Sequence, residues 1–256
     1  MKLVEAENVC RAAIALRPDE GANAYATLGE ILITKDDISK MQNEGNKDMI
    51  AEAETAFRKA IILETNNFEG NFGLGRILAK RHAWAKAEAR FRIARLHTEN
   101  LGRDVVADVE FYLGITLNEQ RNFIGAEAQF RLALSIYSDA AGAAFYLGIL
   151  LYRKGDYDEA EALYRSALKS SEEIQGGCGS LKIRSYLAEL LITVRKDYAA
   201  AEAEYRAMLS SDPTNESALR NLQYVLREKG DHAAADDAPA QAAFRMGAFF
   251  RAVQKL

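Results

Sequence analysis

Proline is scarce in this chain: three among 256 residues, at Pro18, Pro213 and Pro239. Proline breaks helices, so its near absence leaves long stretches free to be helical. Cysteine is scarcer still. Cys10 and Cys178 alone exclude a disulfide framework or a thiolate zinc cluster. Positive charge is not in surplus, since 33 Lys and Arg against 37 Asp and Glu give a net charge of −4. That disfavours a nucleic-acid binder, which shows a basic excess. No uninterrupted apolar run approaches the ~18 residues of a membrane span, and Met1–Cys10 lacks an apolar signal core. The reading is a soluble protein of a reducing, cytoplasmic compartment with unlikely membrane contact. What is present is alanine, at 44 positions, the strongest helix former. At 49% hydrophobic and 27% charged, the chain is too apolar for disorder. Length alone would suggest one or two domains.

The chain repeats itself. Its clearest unit is 141–172, with Leu147-Gly148, Leu151, Gly155-Asp156-Tyr157, Ala160, Tyr164 and Ala167. The unit before it carries Leu113-Gly114, Leu117, Phe123, Ala126, Phe130 and Ala133; Gly114 to Gly148 is 34 residues, as is Phe130 to Tyr164. Earlier units show Leu74-Gly75, Leu78, Trp84, Ala87, Phe91 and Ala94, and Leu28-Gly29, Leu32, Ala53, Phe57 and Ala60. A later one has Leu187-Ala188, Leu191, Tyr198, Ala201 and Tyr205, and a degenerate one has Leu222, Leu226 and Gly230. Spacings of three and four place each set on one helical face. Gly148 and Ala160 are small so that two helix backbones approach, and Tyr164 fills the space between them.

The period and the pattern L-G-x-x-L, G-D-Y-D-E-A, Y/F-x-x-A resemble the tetratricopeptide repeat. The resemblance implies an all-α, right-handed superhelical solenoid of antiparallel helix pairs. It spans 1–237 as a half repeat, five full repeats and a degenerate one, with a capping helix over 238–256. Ala6, Cys10, Ala13 and Pro18 fit a second helix whose first helix is missing, so a fragment of a longer protein is one expectation. Spacing also predicts where extra residues sit: twelve within 35–49, five near 98–104, six near 176–180, and one near Arg195-Lys196. Insertions in a solenoid are expected in loops. Asp236-Asp237 reads as a cap with Pro239 in the first turn after it. The stripe Met246, Phe249, Phe250, Val253 and Leu256 follows, flanked by Arg245, Arg251 and Lys255, with docking on a partner or a membrane surface as the second reading.

No catalytic constellation is present. His82, His97 and His232 lack metal-ligand spacing, and no nucleophile elbow or phosphate loop occurs. Cys10 stands at a core aromatic position, and Cys178 lies in a Gly-rich loop. Asp36-Asp37 and Glu172-Glu173 are expected to be solvated. The expectation is no enzyme, no cofactor, no metal and no small-molecule substrate.

The resemblance implies that first helices line a concave groove. Counting back from Leu147, groove positions hold Phe72 with Gly73, Phe111 with Tyr112, Phe145 with Tyr146, and Ser185 with Tyr186; Arg76, Tyr152, Arg153 and Tyr224 extend the surface. Tyr and Arg are favoured at interface hot spots. The expected function is a scaffold or adaptor that binds a protein or peptide partner there, with homo-oligomerisation possible. The runner-up is a regulatory or substrate-docking portion of a larger enzyme or secretion component. The family's chaperone-tail clamp has no counterpart: matching positions hold Ala26, Glu30, Glu69, Gly73 and Asp108. Its asparagine ladder survives only as Asn221.

Overall fold

The structure, a computed structural model, describes residues 2–41, 47–173 and 179–239. Among them there is no strand, and no helix is long and apolar enough to cross a membrane. The chain divides into two compact units, 1–138 and 139–256. The first contains α1 (Lys2–Leu16), α2 (Ala22–Met41), α3 (Lys47–Leu63), α4 (Phe68–Lys80), α5 (Trp84–Arg95), α6 (Arg103–Glu119) and α7 (Phe123–Ile136). The second contains α8 (Ala141–Lys154), α9 (Tyr157–Glu173), α10 (Ser180–Leu190), a π-turn over Leu191–Arg195, α11 (Tyr198–Ser211), α12 (Glu216–Glu228) and a helical stretch over 232–239. Within each unit the helices pack as consecutive antiparallel pairs, so the all-α reading holds.

The pairs are built on one contact. A methyl group added at Gly29, Gly75, Gly114 or Gly148 would stand 2.6, 2.6, 2.5 or 2.7 Å from the ring of Phe57, Phe91, Phe130 or Tyr164 on the paired helix. Only the smallest residues are found there, which is why Leu-Gly recurs and why the α10–α11 hairpin has a buried alanine, Ala188, in its place. The alanines on the second helices, Ala53, Ala87, Ala126, Ala160 and Ala201, are fully buried. The connection between paired helices is equally regular. His82, Arg121, Gly155, Lys196 and Gly230 all take a left-handed backbone. The following amide turns back to the helix: Ala83, Asn122, Asp156 and Asp231 donate to the carbonyls of Leu78, Leu117, Leu151 and Leu226, each at 2.9 Å. This is the six-to-one closure of a Schellman motif. Three of the following helices are then capped by their own Asn or Asp, Asn122 for the Gly125 amide, Asp197 for Ala200 and Asp231 for Ala234, whereas α5 follows Ala83 without a side-chain cap.

The extra residues do not all become loops. Near 35–49 the described residues lengthen the helices instead: α2 has 20 residues and α3 has 17, against 13 and 12 for α4 and α5. Asp36 there is buried and ion-paired with Lys40, correcting the solvated reading for that residue, while Asp37 stays half-exposed and reaches Lys80 at 3.3 Å. The single extra residue near Arg195 is absorbed as the π-turn, and the Asp197 amide still reaches the Leu191 carbonyl at 2.9 Å. The C-terminal cap is Asp231, five residues before the pair expected to cap, and Asp236-Asp237 lie inside the helical stretch it starts. The Met246–Leu256 stripe and Cys178 lie outside the described residues.

Candidate functional site

The expected groove residues fall into two kinds once their neighbours are known. The first of each pair packs against its own hairpin and against the next. Phe72 meets Phe91 at 5.8 Å and Tyr112 at 5.4 Å; Phe145 meets Tyr164 at 6.0 Å and Tyr186 at 5.2 Å. Phe111 meets Phe130 at 6.1 Å. Phe145 is only 5% exposed, so it is chiefly core. The second of each pair covers the buried aromatic of the preceding hairpin. Tyr112 stacks on Phe91 at 5.6 Å, and Tyr186 lies over Tyr164 at 6.1 Å. Gly73 takes this place over Phe57, where a methyl group would come within 2.2 Å of the ring. Asn221 does so by a hydrogen bond to Tyr205. The tyrosines are half-buried seam residues with one edge outward, which sequence spacing could not distinguish from free groove residues.

Charged groups sit on these rings. In the first unit the Arg76 guanidinium lies 5.9 Å over Phe72, donates to Glu30 at 2.9 and 3.2 Å, and reaches the Tyr112 hydroxyl. Burial alone would make Arg76 less basic, but Glu30 and Tyr112 outweigh it. Burial raises the Tyr112 phenol, with Arg76 opposing. Burial, then the neighbouring Asp104, raises the Asp108 carboxyl one turn before Tyr112. In the second unit the Lys182 ammonium lies 5.4 Å over Phe145 and 5.8 Å over Tyr146. Tyr152 shares a hydrogen bond with Thr193 at 3.1 Å and meets Tyr157 edge-on at 5.5 Å. Arg153 is exposed. Tyr224 is the most open of the aromatics expected to bind, at 48% exposure. The structure thus gathers Phe72, Arg76, Phe111 and Tyr112 in one patch and Phe145, Tyr146 and Tyr186 in another.

A second ordered array was legible but overlooked. Six second helices carry Glu four residues before Arg: Glu7–Arg11, Glu54–Arg58, Glu88–Arg92, Glu127–Arg131, Glu161–Arg165 and Glu202–Arg206 are all ion-paired. Several of these glutamates also reach the following hairpin: Glu7 to Lys35 (2.7 Å), Glu54 to Arg81 (2.5 Å), Glu161 to Arg195 (2.7 Å) and Glu202 to Lys229 (2.5 Å). Glu88 accepts from Gln120 at 2.9 Å. The E-x-x-x-R signal was visible at constant register, but only the structure shows its second partner. Among the described residues no group of three or more His, Cys, Asp or Glu could hold a metal ion.

Residues 106–173 match the family model described as tetratricopeptide repeat. The chain carries tetratricopeptide repeats. Solved structures share this fold across most of its length. A tetratricopeptide-repeat protein with an unusual peptide-binding site, YrrB, superposes with a TM-score of 0.54 at 16% identity, covering 83% of this chain and 96% of that one. Pseudomonas aeruginosa pilF gives 0.65 at 18% identity, covering 87% and 90%. The Cut9–Hcn1 hetero-tetramer of APC/C gives 0.67 at 14% identity, covering 93% of this chain but 45% of the other. No curated protein matches the sequence. At these identities the likeness concerns the fold alone.

Proposed function

We propose that this tetratricopeptide protein is a non-enzymatic scaffold or adaptor that holds a protein or peptide partner against the faces of its first helices. The observation that carries this reading is the alternation of half-buried aromatic edges with charged groups seated on them: Phe72, Tyr112 and Arg76 in one unit, Tyr146, Tyr186 and Lys182 in the other. Rings fixed by packing on their neighbours offer apolar contact area at little entropy loss, and the charges give orientation. A structurally similar protein is described as having a peptide-binding site, which favours the same use of the fold.

The reading is tested by selecting peptides from a random display library on the full chain and measuring the best one by calorimetry. Tyr146→Ala is expected to weaken its binding by about tenfold, the equivalent of one lost contact of about 1.4 kcal/mol. Unchanged melting together with unchanged binding in Tyr146→Ala and Arg76→Ala would refute the assignment of this face.

A further inference from the structure

In each hairpin the second helix has a position three residues after its buried alanine. It faces the first-helix residue four before the Leu-Gly glycine or its equivalent. Arg90 there bonds Asn71 at 3.2 Å, and Glu204 there bonds Arg184. Gln129 and Glu110 occupy the two positions in their hairpin, each with one buried side-chain oxygen. Leu163 occupies the position in α9. In the α2–α3 hairpin it is occupied by an alanine, Ala56, with Tyr25 as the facing residue; Ala238 is the corresponding residue of the last hairpin. The larger side chain that fills this niche on α5, α7, α9 and α11 is missing, and an open pocket of about 490 Å3 lies between α1, α2 and α3. That is ligand-sized, within the roughly 300–1,000 Å3 typical of small-molecule sites.

Its walls are apolar: Ile14, Leu28, Ala56 and the Tyr25 ring. Its rim is charged and asymmetric. Arg11 is committed to Glu7 at 2.9 Å and to Glu52 at 2.7 Å. Lys59 is the loosely held cation, 3.7 Å from the carboxylate of Asp19, which is itself almost fully exposed. An open apolar pocket with one loosely paired cation at its rim suits a molecule with an aliphatic body and an anionic head. We propose that this cavity binds an aliphatic carboxylate, its chain between Ile14, Leu28 and Ala56 and its head group on Lys59. This goes beyond a protein partner on the first-helix faces and does not depend on it.

The test is calorimetric titration of the full chain with dodecanoate below its micelle concentration, with dodecylamine as the charge-reversed control. One-to-one binding of dodecanoate is expected. Ala56→Leu fills the chamber and should weaken it by about tenfold or more, with melting temperature unchanged or raised. Lys59→Gln should weaken it by about threefold, as befits a partly exposed ion pair. Absence of binding, equal affinity for dodecylamine, or full affinity in Ala56→Leu would overturn the proposal. Should Ala56→Leu disturb folding, methyl spectra of the unaltered protein decide instead. Dodecanoate must shift Ile14 and Leu28, and shifts confined to other methyls would overturn it.

Discussion

The two units solve the same packing problem with different side chains. In the first, the aromatic that meets the glycine is phenylalanine, at Phe57, Phe91 and Phe130; in the second it is tyrosine, at Tyr164 opposite Gly148, and Tyr205 belongs to the hairpin with Ala188 in the glycine's place. The first turns its hairpins on side-chain-bearing residues, His82 and Arg121; the second uses glycine twice, Gly155 and Gly230, and a lysine, Lys196, after the π-turn. The hydroxyls of the second unit also differ from each other. Tyr205 bonds Asn221, whereas the Tyr164 oxygen is buried without a hydrogen-bond partner, and burial drives its phenol far above the usual range. The difference teaches that the repeat is specified by size at the helix contact and by backbone sign at the turn. Polar decoration is free to vary, at some cost in stability.

The largest break in this comparison comes from size. Gly114→Ala and Gly148→Ala place a methyl group within 2.5 and 2.7 Å of a buried ring, so both units should lose about 3 kcal/mol in urea denaturation, the upper end of overpacking costs. A neutral result in one unit would show that its ring can retreat. Next comes the hydroxyl. Tyr164→Phe removes an unsatisfied buried group and should stabilise by about 1 kcal/mol, whereas Tyr205→Phe removes a satisfied one and should destabilise by about 1 kcal/mol. Equal signs for the two would erase the distinction. The turns follow: Arg121→Gly should stabilise the first unit by about 1 kcal/mol, and Gly155→Arg should destabilise the second by a similar amount. Differential scanning calorimetry would resolve both.

The smallest effect is electrostatic. Glu7 is held below the usual carboxylate range by Lys35 and then Arg11, and Glu202 by Lys229 and Arg206. A depressed folded pKa contributes stability that is fully present above the unfolded value of about 4.3 and is lost as pH falls through the folded values. Glu202→Gln should therefore cost about 0.5 kcal/mol at pH 7 and flatten the acid limb of the stability profile below about pH 4. An unchanged acid limb would remove the ion-pair array from the account.

Much of this architecture was legible because repeats show each position several times. The glycine–aromatic contact followed from Leu-Gly and the 34-residue spacing, and the extra residue near Arg195 correctly marked a local irregularity. Three things were hidden. The described part of the 35–49 insertion is helix, because nothing in Ile38-Ser39-Lys40 breaks the helix it extends. The cap at Asp231 was passed over for Asp236-Asp237 because both are acidic residues near a proline. Of the expected binding residues, spacing identified the face but not the degree of burial. Tyr112 and Tyr186 lie over the preceding hairpin's ring, a relation between repeats that no single unit displays.

The central claim is that partners engage the first helices. It is tested most directly by amide hydrogen exchange of the full chain with and without a library-selected peptide. The account predicts added protection in α4 and α6 or in α8 and α10, around Tyr112 or Tyr146. Protection confined to the outer surfaces of α5, α7 and α11, with α4, α6, α8 and α10 unchanged, would contradict it.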